Sequence, residues 1–154
     1  MARKKIIVAI FLLIAFILAL YLDNFFHFKI DFIFASLIAA MLFLDFGSFL
    51  LFLLFSMALL AYQPAISLEM VVILVMALLF YYLKKYSPFE KIINFLIIFS
   101  LFFLIFYSLN YQALLKEFNV FIIDFILSLI FGLLEFMILL KIDRAYEKIQ
   151  PKKI

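Results

Sequence analysis

The chain has 154 residues, of which 71% are hydrophobic and 15% are charged, and its mean hydropathy is +1.35. Soluble domains are about half apolar and about a quarter charged, so a water-soluble fold of this length could not bury so many apolar side chains. The composition therefore predicts an all-α integral membrane protein. The formal charge of +3 comes from short clusters beside apolar runs, which argues against nucleic-acid binding. Cysteine is absent, which excludes disulfides and thiolate metal sites.

The first apolar run, residues 6–22, follows Arg3, Lys4 and Lys5. Seventeen residues can cross a hydrocarbon core of about 30 Å if the bilayer is thinned or the ends extend. No small-x-small cleavage site follows this run before the polar residues 23–24. We therefore expect a retained signal anchor.

The stretch 31–62 contains one charge, Asp45. About thirty residues of helix would be ~45 Å long, which is too long for one crossing. The sequence therefore predicts two helices, 31–45 and 47–62, with a tight turn at residues 45–48.

Three further spans are predicted in the second half of the chain, at residues 65–83, 92–109 and 120–140. Pro64 suits the start of the fourth span. Residues 141–154 form a short basic tail, which we expect to continue the last helix as an amphipathic segment on the membrane surface. The chain is thus predicted to be a single domain of about six transmembrane helices.

The positions of the basic residues and tyrosines predict the orientation. With the N-terminus in the cytoplasm, 11 of the 13 Lys and Arg fall on the inner side and 2, Lys29 and Lys116, on the outer side. All eight tyrosines fall at predicted span ends, as in an aromatic belt. Both termini are therefore predicted to lie in the cytoplasm, in a multi-pass protein of the inner membrane.

The last span carries the residues that most invite a functional explanation. Asp124 and Glu135 are eleven residues apart, which returns to within ~20° of the same helical face, and Ser128 and Gly132 lie near that face. A carboxylate inside a span costs about 2.5–3.5 kcal/mol on insertion scales, so it needs a partner or a function. Two hypotheses stay open. This polar stripe packs against another helix, or it lines a path for protons, cations or a polar substrate.

If the stripe is structural, we expect its carboxylates to bond serine, asparagine or water, with Ser56, Ser100, Ser108 and Asn94 as candidate partners. A further intramembrane acid, Glu69, lies one turn inside its span, where its head can reach water.

Catalytic and cofactor signatures are missing from the sequence. It has no G-x-S-x-G, no glycine-rich phosphate loop and no cluster of His, Asp or Glu at metal-ligand spacing. The single histidine, His27, falls in a predicted outer loop, where it is most simply solvated. We expect no enzyme activity, no metal and no cofactor.

The layout of residues 30–85 resembles the bacterial rod shape-determining MreD family. Asp31 opens the second helix, as the acid of a Pro-Asp pair does in that family, with Ile30 in place of proline. Gly47 matches the glycine of the family's turn, and the fourth helix closes on Lys84 and Lys85. The third helix lacks the family's glycines and terminal acid.

The resemblance implies a non-catalytic accessory subunit of the cell-elongation machinery that supports cell shape and peptidoglycan synthesis. Its implied partners, besides membrane lipid, are an MreC-like scaffold, a peptidoglycan synthase and an actin-like cytoplasmic filament protein. In outline the chain is also similar to the substrate-binding subunits of energy-coupling-factor vitamin transporters. That alternative implies an outward-facing cavity for a small molecule.

Overall fold

A computed structural model describes residues 2–25, 32–60, 68–88, 90–109 and 118–149, and this part of the chain is helical without a strand. A 3₁₀ turn, Lys84–Tyr86, follows the fourth helix. The α-helices are α1 (Ala2–Phe25), α2 (Phe32–Phe43), α3 (Phe46–Leu60), α4 (Leu68–Leu83), α5 (Lys91–Ser108) and α6 (Phe118–Ile149). The predicted all-α class is confirmed.

Three of these helices are long and apolar enough to cross a membrane, namely α1 over Lys4–Leu22, α5 over Lys91–Ser108 and α6 over Phe118–Tyr146. Helices α2 and α3 are apolar but shorter, and the 12 residues of α2 correspond to ~18 Å. Large apolar side chains face outward. Leu51, for example, is 72% exposed and Leu134 is 62% exposed. An apolar exterior of this kind suits contact with lipid.

Helix α2 lies at the centre of the bundle and contacts the five other helices. Nine of its twelve residues are buried. Its small residues, Ala35, Ser36, Ala39 and Ala40, let neighbouring backbones approach closely. Because α2 is apolar on every side apart from Ser36, it has no face for water and is enclosed by the rest of the chain.

The chain breaks between α2 and α3 near the predicted turn. Helix α3 begins at Phe46, directly after Asp45, so Gly47 lies in its first turn with an ordinary helical φ. The break therefore lies at residues 44–45, at the start of the predicted turn 45–48, and Gly47 belongs to the helix, as it does in the predicted third span 47–62. Asp45 accepts a hydrogen bond of 2.8 Å from Ser48 Oγ, and this bond, together with the nearby Lys5 ammonium, lowers the pKa of Asp45.

Helix α6 is longer than the predicted sixth span. Its 32 residues form one continuous helix that extends well into the predicted basic tail. Residues 150–154 lie outside the described residues. Within α6, Asp143 binds two lysines from other helices, Lys4 of α1 and Lys91 of α5, the latter at 2.7 Å.

These ion pairs define one end of the bundle, which we call the lysine end. There Lys5 of α1 lies 3.4 Å from Asp45. The ammonium of Lys84 lies against the C-terminus of α2, where it donates to the carbonyl oxygens of Met41 and, at 3.5 Å, Leu44. A cation at a helix C-terminus satisfies carbonyls that have no partner within the helix and is favoured by the helix dipole. The lysine end therefore brings together the N-terminal part of α1, the α2–α3 connection, the end of α4, the start of α5 and the last turns of α6.

Candidate functional site

The polar stripe of α6 faces the interior of the bundle. The exposed fraction of Asp124 is 1%, that of Ser128 is 0% and that of Glu135 is 4%. With Gly132 and two partners from other helices, Ser36 and Tyr107, these residues form what we call the polar seam. The structure thus places all four stripe residues against protein.

Asp124 lies at the N-terminal part of the seam. Its Oδ1 accepts a hydrogen bond of 3.1 Å from Ser128 Oγ, one turn further along α6, and its Oδ2 accepts one from the Tyr107 hydroxyl of α5. Both carboxylate oxygens therefore have hydroxyl donors. Such donors stabilise a polar group that would otherwise be costly inside a membrane protein.

An aromatic ladder on α5 positions Tyr107. Phe95, Phe99, Phe103 and Tyr107 follow one another at intervals of four residues, which places them on one face of the helix. Their successive ring centroids are 5.9, 5.8 and 4.7 Å apart in stacked arrangements. The packing of this ladder against α6 fixes the Tyr107 ring beside Asp124, and Phe121 of α6 closes its edge with a centroid distance of 5.0 Å.

Glu135 lies near the other end of the seam, eleven residues or ~16 Å along α6 from Asp124. Its Oε2 accepts a hydrogen bond of 3.0 Å from Ser36 Oγ of α2. Its Oε1 is buried and has no hydrogen-bond partner among the described residues. The Glu135–Ser36 bond joins α6 to the central helix in an environment where few polar groups compete for either partner.

Gly132 lies between the two acids, where α6 packs tightly against α2 and α5. A Cβ atom at this position would lie 2.7 Å from Phe95 Cζ of α5 and 2.8 Å from Ala35 Cβ of α2. Both distances are shorter than real Cβ contacts allow, so the space is filled by neighbouring atoms. Glycine is required here for close packing, as in small-xxx-small helix contacts.

The seam therefore consists of two separate clusters of hydroxyl and carboxyl groups, one at Asp124 and one at Glu135. The tight helix packing at Gly132 lies between them. No group of three His, Cys, Asp or Glu side chains suited to a metal ion occurs within the described ranges 2–25, 32–60, 68–88, 90–109 and 118–149. Serine and tyrosine donate to the acids here, and this arrangement orients side chains and holds helices together.

The seam partners differ from those expected from sequence. Ser56 donates to the Phe52 carbonyl in its own helix at 2.8 Å, Ser108 donates to the Ile105 carbonyl at 2.7 Å, and Asn94 accepts a bond from Ser87. The donors from other helices are instead Ser36, which bonds Glu135, and Tyr107, which bonds Asp124. The sequence signal for Ser36 is that it is the single polar side chain of α2, whereas the position of Tyr107 at a span end predicts only a place in the aromatic belt.

Other candidate residues lie apart from the seam or outside the described part. Gly47 is exposed, with nothing within 4 Å of an added Cβ. Glu69 belongs to the first turn of α4, but its side chain is outside the described part, as are Asp31 and His27.

Comparison of the chain with models of known protein families, with curated protein sequences and with solved structures gives no match.

Proposed function

We propose that the protein is a non-catalytic membrane scaffold, an accessory subunit of the kind that the resemblance to MreD implies. The observation that supports this most is the packed crossing at Gly132, between the two intramembrane acids. A path for ions or substrate along α6 would need space there, and Phe95 and Ala35 occupy it. The acids then serve to hold α6 against α2 and α5.

The proposed topology has six crossings with both termini in the cytoplasm of an inner-membrane protein. The ion pairs of Asp143 with Lys4 and Lys91 support it, because they bring the start of α1, the start of α5 and the end of α6 to one end of the bundle. Segments separated by an even number of crossings lie on the same side of the membrane, and in the proposed topology these three segments are separated in that way. In this topology the short helices α2 and α3 cross where other helices enclose them or where the bilayer is locally thinned.

The topology can be checked directly because the chain contains no cysteine. Single variants K85C and L109C place a thiol at exposed positions at opposite ends of the α5 region. A membrane-impermeant maleimide added to intact cells should label L109C and leave K85C unlabelled until the membrane is opened. The reverse pattern, or equal labelling, would contradict the proposed orientation.

The proposed partners are those implied by the resemblance, an MreC-like scaffold, a peptidoglycan synthase and a cytoplasmic filament protein. The test is co-purification of the tagged full-length chain from mild detergent, with mass-spectrometric identification of the bound proteins. The D124N/E135Q double variant is purified alongside, because it removes both buried carboxylates and keeps their size. We expect elongation-machinery subunits with both chains in similar amounts.

The competing transport function predicts a different outcome of the same experiment. An energy-coupling-factor subunit would be recovered with two ATPases and a coupling subunit, and in a separate uptake assay on whole cells the double variant would lose substrate uptake. Either result would overturn the scaffold proposal. Thermal denaturation of both purified chains is the control. If the two chains are equally stable, a loss of partners in the double variant reflects the seam and not unfolding.

A further inference from the structure

Two adjoining cavities open at the lysine end of the bundle, away from the polar seam. The first has a volume of about 620 Å³, within the usual range of ligand sites. The second, of about 170 Å³, lies between α4 and α5. Lys84 and Asn94 line both, so the two cavities meet at these side chains.

The first cavity is basic and aromatic. Among its described lining residues there is no carboxylate, and six of them are lysines or tyrosines: Lys84, Lys85, Lys91, Tyr81, Tyr82 and Tyr86. Ammonium and hydroxyl groups together are the donors that bind phosphate oxygens. Asp45 and Asp143 lie outside this lining and are paired with lysines, Asp45 with Lys5, and Asp143 with Lys4 and the lining residue Lys91.

The three lysines differ in how firmly they are held. Lys84 is fixed by the carbonyls at the end of α2 and lies 3.7 Å from the centroid of the Tyr81 ring. Burial lowers the pKa of Lys84 to about 8, with Asp45 raising it and Lys91 lowering it further, so this group is still a cation at neutral pH. Lys91 pairs with Asp143, whereas Lys85 is exposed and has no partner among the described residues. Lys85 is therefore the lysine most available to a ligand.

The second cavity is apolar where it leaves the shared residues. Phe80, Leu83, Ile97, Ile98 and Leu101 line it. Leu83, Ile97 and Leu101 are between 39% and 48% exposed on the outer surface of α4 and α5, where the proposed topology places lipid chains. A groove of this character accepts hydrocarbon.

We propose that the two cavities form one binding site for an anionic phospholipid, with the phosphate headgroup among the lysines and tyrosines and an acyl chain in the α4–α5 groove. Free phosphate would satisfy the basic cavity but would leave the adjoining apolar groove without an occupant. The lipid satisfies both, and basic side chains beside a transmembrane helix are known to favour anionic headgroups. The site does not depend on which proteins the scaffold binds.

The test is native mass spectrometry of the full-length chain in neutral detergent, titrated with dioleoyl phosphatidylglycerol and, separately, with dioleoyl phosphatidylcholine. K85Q removes the available ammonium, K85R restores the charge, and K141Q removes an exposed lysine of the same end that lines neither cavity. We expect K85Q to weaken phosphatidylglycerol binding roughly fivefold. K85R and K141Q should bind like the parent chain, and phosphatidylcholine should bind more weakly throughout.

Three results would overturn the proposal. Equal binding of the two lipids would show an apolar groove without headgroup recognition. An equal loss in K85Q and K141Q would show attraction to the general charge of this end. Complete displacement of phosphatidylglycerol by millimolar inorganic phosphate would show a site for a soluble anion. Circular dichroism of each variant ensures that a changed affinity comes from a folded chain.

Discussion

The polar seam and the lysine end satisfy their polar groups in opposite ways. In the seam the acids are buried and bonded by hydroxyls of neighbouring helices, and Gly132 brings the backbones into contact. At the lysine end the charges are partly in water, share partners and leave cavities between them. Changing a side chain in the seam should therefore affect stability more than removing a charge at the lysine end, and the following variants test that order.

The largest effect is expected for Gly132→Leu. The new side chain meets Phe95 and Ala35 where even a Cβ does not fit, and the Cβ of Ala35 cannot move without the backbone of the buried helix α2. Overpacking of this kind costs about 3 kcal/mol or more in the free energy of unfolding. The measurement is equilibrium unfolding of the purified chain in mixed micelles of neutral detergent and sodium dodecyl sulfate.

Gly47→Leu is the matched control, since Gly47 is exposed and nothing lies within 4 Å of an added Cβ. Leucine favours a helix more than glycine, so this variant should be unchanged or slightly more stable. If the two glycine variants unfold alike, the close crossing at Gly132 does not hold the bundle together.

A smaller effect is expected for Ser36→Ala. It removes the donor to Glu135 and leaves a buried carboxyl without its partner from α2. An unsatisfied buried group costs about 1–3 kcal/mol. Ser56→Ala is the control because Ser56 is equally buried but bonds its own helix, so its loss should change the free energy of unfolding by less than about 0.5 kcal/mol. Equal losses in the two serine variants would contradict a role for the Glu135–Ser36 bond.

The smallest effect is expected for Asp143→Asn, which removes the shared partner of Lys4 and Lys91. The Asp143 side chain is 13% exposed, but Lys4 and Lys91 are 31% and 51% exposed, and ion pairs whose cations reach water contribute about 0–1 kcal/mol, which salt reduces. Thermal denaturation in low and high salt should show a small loss of stability that disappears in high salt. Asp45→Asn, which weakens a more exposed pair with Lys5, should show no loss in either condition. If Asp143→Asn loses as much stability as Ser36→Ala, the polar seam does not contribute more to stability than the lysine end.

Much of this architecture could be predicted from local sequence. The apolar runs predict helices, and the eleven-residue spacing of Asp124 and Glu135 predicts a shared face. The partner of Glu135 could not be predicted, because Ser36 is 99 residues away and the pairing depends on the order of helices in the bundle. Periodicity cannot supply that order when the helices are apolar on nearly all sides.

Two residues show where local rules mislead. The local turn signal at residues 45–48 places Gly47 at the break, yet α3 begins at Phe46 and includes it. The preference of tyrosine for membrane interfaces predicts that Tyr107 belongs to the aromatic belt, yet its hydroxyl donates to Asp124 inside the bundle. In both cases a tertiary contact or the neighbouring residues outweigh the usual preference of the residue type.

The central position of α2 has a consequence for biosynthesis. The helix is made early, but its seam partners, Gly132 and Glu135, are made near the end of translation. A ~18 Å helix is too short to cross a hydrocarbon core unaided, so its stable insertion must wait for α5 and α6. Contacts this distant in sequence make assembly a late step that involves the whole chain. A nascent chain that stops before α6 would leave α2 without its enclosure, so we expect the core to fold only after the C-terminal helix has been made.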